Sequence, residues 1–239
     1  MSTNPYASPT FEPALAEYGS YRKSSSLVMA TAIIFLVNIV GELLSTFWFE
    51  PYFSQQEALY LAGDVTDSQI LPLVLGALAA GCSFLLIFVM GVVLFCIFLH
   101  RAHRNVLALG ITDLSYSTGW TIASFFIPVV NLFAPYIGVR EIYQASDPAA
   151  TPDNWRQRPA SAVALWWAIW ILQLALMGIN VGLIGTWAEY HMTMMASRWL
   201  DITEACLFTL NALIIINIMY DIERRQALRA ARQHPTSFA

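Results

Sequence analysis

Charge is what this sequence has least of. Only 12% of its 239 residues are charged, against 57% hydrophobic residues, and its mean hydropathy is +0.57. So little polar material cannot coat a globule in water, which excludes an ordinary soluble domain. Cysteine is also scarce. Cys82, Cys96 and Cys206 all fall inside apolar runs without CxxC spacing, which excludes a disulfide framework and leaves them as small packing residues. No nucleophile elbow, HExxH, P-loop or dinucleotide fingerprint occurs, so no catalytic set is visible and neither enzyme activity nor a cofactor is expected. A basic, aromatic-interleaved surface is lacking too, and with it any expectation of nucleic acid as a partner.

What the chain has in abundance is long apolar sequence. Runs at Ser26–Phe49, Leu71–Leu99, Ala160–Trp187 and Trp199–Tyr220 each reach the roughly 18 to 20 residues needed to cross a hydrocarbon core of about 30 Å. The expected class is an all-α membrane protein whose main partner is the lipid bilayer. The first run follows some 25 polar residues, is too long for a signal-peptide core and carries Glu42 without a small-residue cleavage site after it, so it is expected to stay. Residues 1–25, with Pro5, Pro9 and Pro13 among polar residues, read as a disordered tail. Residues 26–220 form the membrane domain, and 221–239 a basic tail. Its Arg224, Arg225, Arg229 and Arg232 are suited to anionic lipid at about 1 kcal/mol each near the surface.

A fifth apolar segment, Gly119–Tyr143, decides the topology. If it crosses, Arg22, Lys23, Arg101, Arg104 and Arg198 lie on one face, and Arg140, Arg156, Arg158, Arg224, Arg225, Arg229 and Arg232 on the other. Five against seven is no bias. If it enters and leaves by the same face, eleven of the twelve Lys and Arg residues fall inside, with Arg198 as the exception. The positive-inside rule therefore favours four spans with both termini cytoplasmic over five spans. Within the segment Pro128 and Pro135 flank Asn131; each proline removes a backbone donor and clashes with the preceding turn. Two half-helices are expected, roughly Trp120–Ile127 and Leu132–Ala145, as a re-entrant or interfacial segment. The alternative is one kinked transmembrane helix.

An ordered string of residues around this segment carries a family signature. It comprises Phe98-Leu99-His100-Arg101-Ala102-His103-Arg104-Asn105, Ser117-Thr118-Gly119-Trp120, Phe126-Ile127-Pro128, Asn131-Leu132, Pro135-Tyr136, Arg140-Glu141-Ile142 and Ala145-Ser146-Asp147-Pro148. In these residues the chain resembles the bacterial multipass membrane family called domain of unknown function 4328, over roughly residues 70–220. His100, His103 and Ala134 depart from the family pattern, which argues against a family-wide role for the histidines. The resemblance implies a multipass protein of a bacterial inner membrane and carries no activity with it.

Polar residues inside spans are the candidate site, because a charge at mid-bilayer costs roughly 2.5 to 3.5 kcal/mol. Asn38, Glu42 and Ser45 share one helical face, as do Glu204 and Asn211. Counted from Trp48 and Trp199, Glu42 and Glu204 come to a similar depth, roughly 8 to 9 Å below the outer aromatic belt. Two such acids could share a proton or cation, although separate hydrogen bonding within the bundle explains them as well. The broken segment offers a second candidate site in Pro128, Asn131, Pro135, Tyr136, Arg140 and Glu141. There Asn131 is expected to cap a half-helix or satisfy freed backbone, and Arg140 to pair near Glu141 or with Asp147. A half-helix end can also hold an ion or substrate through its dipole. Gly178 and Gly182 form a GxxxG pattern suited to close helix packing or a homo-oligomer, and Gly76 with Ala80 offers a second small face. His100 with His103 and the His191–Met195 run are weak as metal sites, and no metal is expected. Two function classes remain: a non-enzymatic membrane scaffold or accessory protein, and a small channel or proton- or cation-coupled transporter.

Overall fold

The structure, a computed structural model, describes residues 20–184 and 190–233, without the side chains of 180–197. Helix α1 (Ser25–Leu44) continues through a π-helical turn (Ser45–Phe49) into α2 (Glu50–Leu61); α3 is Asp67–Ala108, α4 Thr118–Ala123, α5 Ala134–Ala145, α6 Ser161–Ile184 and α7 Tyr190–Gln233. Among the described residues there is no strand. Among the described residues four helices are long and apolar enough to cross a bilayer: Ser25–Leu61, Asp67–Ala108, Ser161–Ile179 and Arg198–Gln233. This is the all-α, four-span architecture that the charge distribution favours.

Local chemistry sets the helix ends. Pro51 stands in the first turn of α2, and the π turn just before it, where the Glu50 N–H reaches back to the Ser45 carbonyl, absorbs the disrupted register. The entry to α3 is a capping box, with the Thr66 N–H donating 3.0 Å to Gln69 Oε1. Its exit turns at Gly110, whose φ of 89° suits glycine. The Gly110 and Ile111 N–H groups close back on the Leu107 and Val106 carbonyls, which satisfies the helix end.

The fifth apolar segment is not one helix. α4 ends in a 3-10 turn at Ser124–Phe126, Ile127 is extended before Pro128, and a second short 3-10 turn at Val130–Leu132 precedes α5, which Pro135 opens. The halves lie within two residues of the expected boundaries.

The chain divides into two compact units. The apolar unit holds residues 27–95 and 164–217. In it α1 and α3 approach closely at glycine: a Cβ on Gly41 would lie 3.1 Å from the Phe84 ring and one on Gly91 2.9 Å from Phe35. Its outward face is apolar, with Leu78, Leu85 and Leu86 of α3 all more than half exposed, a surface that only lipid or another protein would cover. The polar unit holds residues 96–163 with the described residues 20–26 and 218–233. It closes over Val106, Ile111, Val139, Ile142, Trp155 and Ile222, all buried.

Candidate functional site

The polar unit is organised around Asn105 on α3. Its side chain accepts from the Arg22 N–H and donates to the Arg22 carbonyl, both at 2.9 Å, and meets Gln226 Oε1 of α7 at 3.0 Å. The Gln226 amide in turn donates to the Ala102 carbonyl and to Ser146 Oγ. One buried amide pair thus joins the amino-terminal segment, α3, the end of α5 and α7. Arg229, only 6% exposed, donates to the carbonyls of Ala145 and, at 3.0 Å, of Leu109. Those carbonyls lie at the carboxyl ends of α5 and α3, where unsatisfied acceptors and the helix dipole both favour a cation. Arg225 sits over the Tyr143 ring at 4.2 Å and bridges Asp221 at 2.8 Å and Asp147 at 3.5 Å. The Tyr143 phenol donates 2.6 Å to Asp221; burial chiefly, and then that bond, push its pKa up to about 12. Arg232 donates to the Pro148 carbonyl. Of the four arginines expected to face lipid from the basic tail, Arg229 is buried and Arg225 half-buried with partners inside the unit, Arg232 is exposed while bonding one carbonyl, and Arg224 is exposed.

The broken segment is tied at its base. Glu141 of α5, 7% exposed, accepts from the Ser115 N–H at 2.8 Å and from Ser115 Oγ at 2.5 Å, just before α4 begins. His103 steadies the same entry, with Nε2 3.0 Å from the Tyr116 carbonyl and Nδ1 2.8 Å from Thr118 Oγ1. A carbonyl only accepts, so Nε2 carries the proton. Ser117 caps α4 by accepting from the Trp120 N–H. Gly138 lets α5 close on α4, since a Cβ there would lie 2.9 Å from Thr121 Cγ2. At the far end Phe126 and Val129 are 64% and 71% exposed, and Ile127, Leu132 and Phe133 are exposed beside them.

The remaining residues of this candidate site are distributed unevenly. Pro135 is buried and Pro128 exposed. Asn131 caps neither half-helix: its N–H donates to the Ile127 carbonyl, and its buried Oδ1 has no partner among the described residues. The 3-10 geometry puts Val129 and Phe133 at the two cap positions instead. Arg140 bonds Gln144 at 3.3 Å and lies over the Tyr136 ring at 5.8 Å, so it pairs along its own helix, while Asp147 is taken by Arg158 and Arg225.

In the apolar unit Glu50, Glu204 and Asp201 all act electrostatically on Glu42. Glu204 keeps one carboxyl oxygen buried without a partner among the described residues. Arg198 bonds Glu50 at 2.9 Å, so the one basic residue left on the outer face by the charge rule is a paired charge. Glu42 and Glu50 line a groove of about 860 Å³ whose other walls include Gly76, Ala80 and Phe84. Asn38 bonds its own helix at the Ile34 carbonyl, and Asn211 joins α7 to α6 through the Trp166 carbonyl. Asn38 and Asn211 are thus engaged with helix backbone. No group of three or more His, Cys, Asp or Glu side chains among the described residues converges as a metal site.

Gly178 is exposed with nothing within 4 Å of a Cβ, so it packs against no part of the described chain. Gly182 and the His191–Met195 run fall where only the backbone is described, and most of the tail expected to be disordered lies outside the described residues. The close glycine contacts fall instead at Gly41, Gly91 and Gly138. Sequence patterns gave no signal for these, because an isolated glycine in an apolar helix has no periodic partner. Asn105 and Ser146 stand within the quoted family string, but Gln226 is a lone amide among arginines.

The fold and sites define a polytopic α-helical membrane protein with a broken, base-tied segment and a hydrogen-bonded polar unit. A family model described as domain of unknown function (DUF4328) matches residues 66–224. The chain belongs to this family. The match brackets the segments from α3 to the start of the arginine tail, including every quoted motif. No curated protein and no solved structure matches the chain.

Proposed function

We propose that this protein is a non-enzymatic scaffold of a bacterial inner membrane, with both termini cytoplasmic, whose broken segment dips into the adjacent leaflet and organises lipid or partner helices there. The observation carrying the reading is the join between Ser115 and Glu141. A helix crossing about 30 Å of hydrocarbon separates its ends by that distance, whereas here entry and exit meet at one hydrogen-bonded base and the apolar tip at Phe126 and Val129 projects uncovered. Several polar residues of the family string support it further, because His103, Asn105, Glu141 and Ser146 bond other side chains and the backbone. A nitroxide at Val129→Cys, in a background without Cys82, Cys96 and Cys206, is expected to be accessible to oxygen and shielded from an aqueous nickel chelate. One at Asp113→Cys shows the reverse. Chelate access at 129 equal to that at 113 overturns the insertion.

The acids Glu42 and Glu50 on the groove, with Glu204 acting electrostatically on Glu42, favour a second reading, a proton- or cation-conducting path. The scaffold reading expects proteoliposomes of the wild type to collapse a pH gradient no faster than protein-free vesicles. A wild-type flux that Glu42→Gln with Glu204→Gln abolishes, at unchanged expression, replaces scaffold by transport.

A further inference from the structure

The groove between α1–α2 and α3 in the apolar unit is built from two irregular walls. On one side the π-helical turn Ser45–Phe49 interrupts the regular ladder between Glu42 and Phe53; on the other Pro72 stands inside α3 and has no N–H to offer the Ser68 carbonyl one turn back. Both breaks line the same space of about 860 Å³, and a cavity wall is where irregular backbone at membrane depth is tolerated. The space is a wedge. It closes where a Cβ on Gly41 would lie 3.1 Å from the Phe84 ring, and it widens along α3, where Gly76 and Gly81 have nothing among the described residues within 4 Å of a Cβ. Its size is that of a small-molecule site.

The lining has two chemical parts. Phe49, Phe53 and Phe84 give it an aromatic wall, and the half-buried Glu42 sets a carboxyl group into that wall, six residues before Trp48. The charge around it is of one sign, since Glu50, Glu204 and Asp201 act on Glu42. Within residues 27–95 and 164–217, which make up the apolar unit, the sequence holds a single Lys or Arg. It is Arg198, and it bonds Glu50 at 2.9 Å. A cation that complements Glu42 therefore comes from outside the unit. Hydrocarbon alone in the groove leaves the carboxylate facing lipid, which is costly, whereas aromatic faces and a carboxylate both attract a positive charge. The ligand chemistry that meets both parts of the wall is a cation with an apolar body.

We propose that this groove binds a lipophilic organic cation, with its charge at Glu42 and its apolar body against Phe49, Phe53 and Phe84. The inference takes the four long helices as membrane spans and rests on neither the scaffold role nor the conducting path. Binding needs no gradient, so a protein that conducts nothing keeps the site.

The test is equilibrium dialysis of radiolabelled tetraphenylphosphonium against the full chain in an uncharged maltoside detergent, with neutral triphenylphosphine oxide in a parallel arm. The wild type is expected to bind the phosphonium saturably, above protein-free micelles, and to prefer it to the oxide. Glu42→Gln lowers the affinity for the cation about tenfold or more, the lower end of what one charge pair supplies in partly apolar surroundings. Gly76→Leu keeps Glu42 but fills the open wall, so it too lowers affinity, and it provides the second variant if Glu42→Gln fails to fold. Gly178→Leu, exposed on α6 and outside the groove, leaves binding unchanged. An absence of saturable binding by the wild type, affinity unchanged in Glu42→Gln, or equal loss in Gly178→Leu overturns the site. Oxide bound as tightly as the phosphonium, and lost in Gly76→Leu, assigns the groove to an uncharged apolar molecule and overturns the cation.

Discussion

The two units handle polar groups in opposite ways. In the polar unit Asn105, Gln226, His103 and Arg229 each have two or more partners, drawn from segments far apart in the chain. In the apolar unit polar groups are few and mostly bond one turn back on their own helix, as Thr31, Asn38 and Ser83 do. Packing there depends on close approach at Gly41 and Gly91 and on the ring contact of Phe35 with Phe95, centroids 6.4 Å apart, between α1 and α3. The lesson is one of solvent. Where the surroundings are apolar on all sides, burial drives little helix association, and small residues and ring contacts do the joining. Where the chain meets water, a hydrogen-bonded interior specifies one arrangement, because each unmatched group there is costly.

Substitutions sharpen this contrast. The largest effect is expected from Arg229→Met, which leaves the Ala145 and Leu109 carbonyls without their cation. At roughly 1 to 3 kcal/mol for each buried group left unmatched, the loss is about 3 kcal/mol, read as a large drop in thermal midpoint in detergent. Gly138→Val comes next: its side chain would meet Thr121 at a distance real contacts do not reach. Overpacking of this kind costs about 2 kcal/mol, and Thr121→Ala should restore part of it. Asn211→Leu removes the bond to Trp166 and costs about 0.6 kcal/mol, the usual scale for a polar contact between membrane helices. Gly178→Val changes the thermal midpoint of the monomer least, since nothing lies near it. A loss of chemical cross-linking between copies in that variant assigns the residue to self-association.

Much of this architecture was legible in the sequence, for identifiable reasons. Span length and charge asymmetry are additive properties of a chain, so the four long helices could be read directly, and the prolines at 128 and 135 marked the break because each deletes a donor whatever its neighbours do. The depth count from Trp48 and Trp199, which are 72% and 68% exposed, put Glu42 and Glu204 at one level, and Glu204 is among the acids that act electrostatically on Glu42. Pairwise partnership was harder. Asn131 looked like a cap from its place between prolines, but which residue occupies a cap position depends on where each short turn stops. The tail arginines looked like a lipid collar by composition, and only the fold shows Arg229 and Arg232 turned onto the carbonyls of Ala145, Leu109 and Pro148.

The grip on Asn105 has a further meaning in the order of biosynthesis. Its partners come from 83 residues before it and 121 after it, so while α7 is still being made the asparagine has only its amino-terminal partner. Chains interrupted before Gln226 expose an unmatched amide together with the uncapped ends of α3 and α5. Until α7 arrives, these groups are covered by nothing else in the polar unit that pairs with them, so α7 closes the interior that the earlier segments leave open.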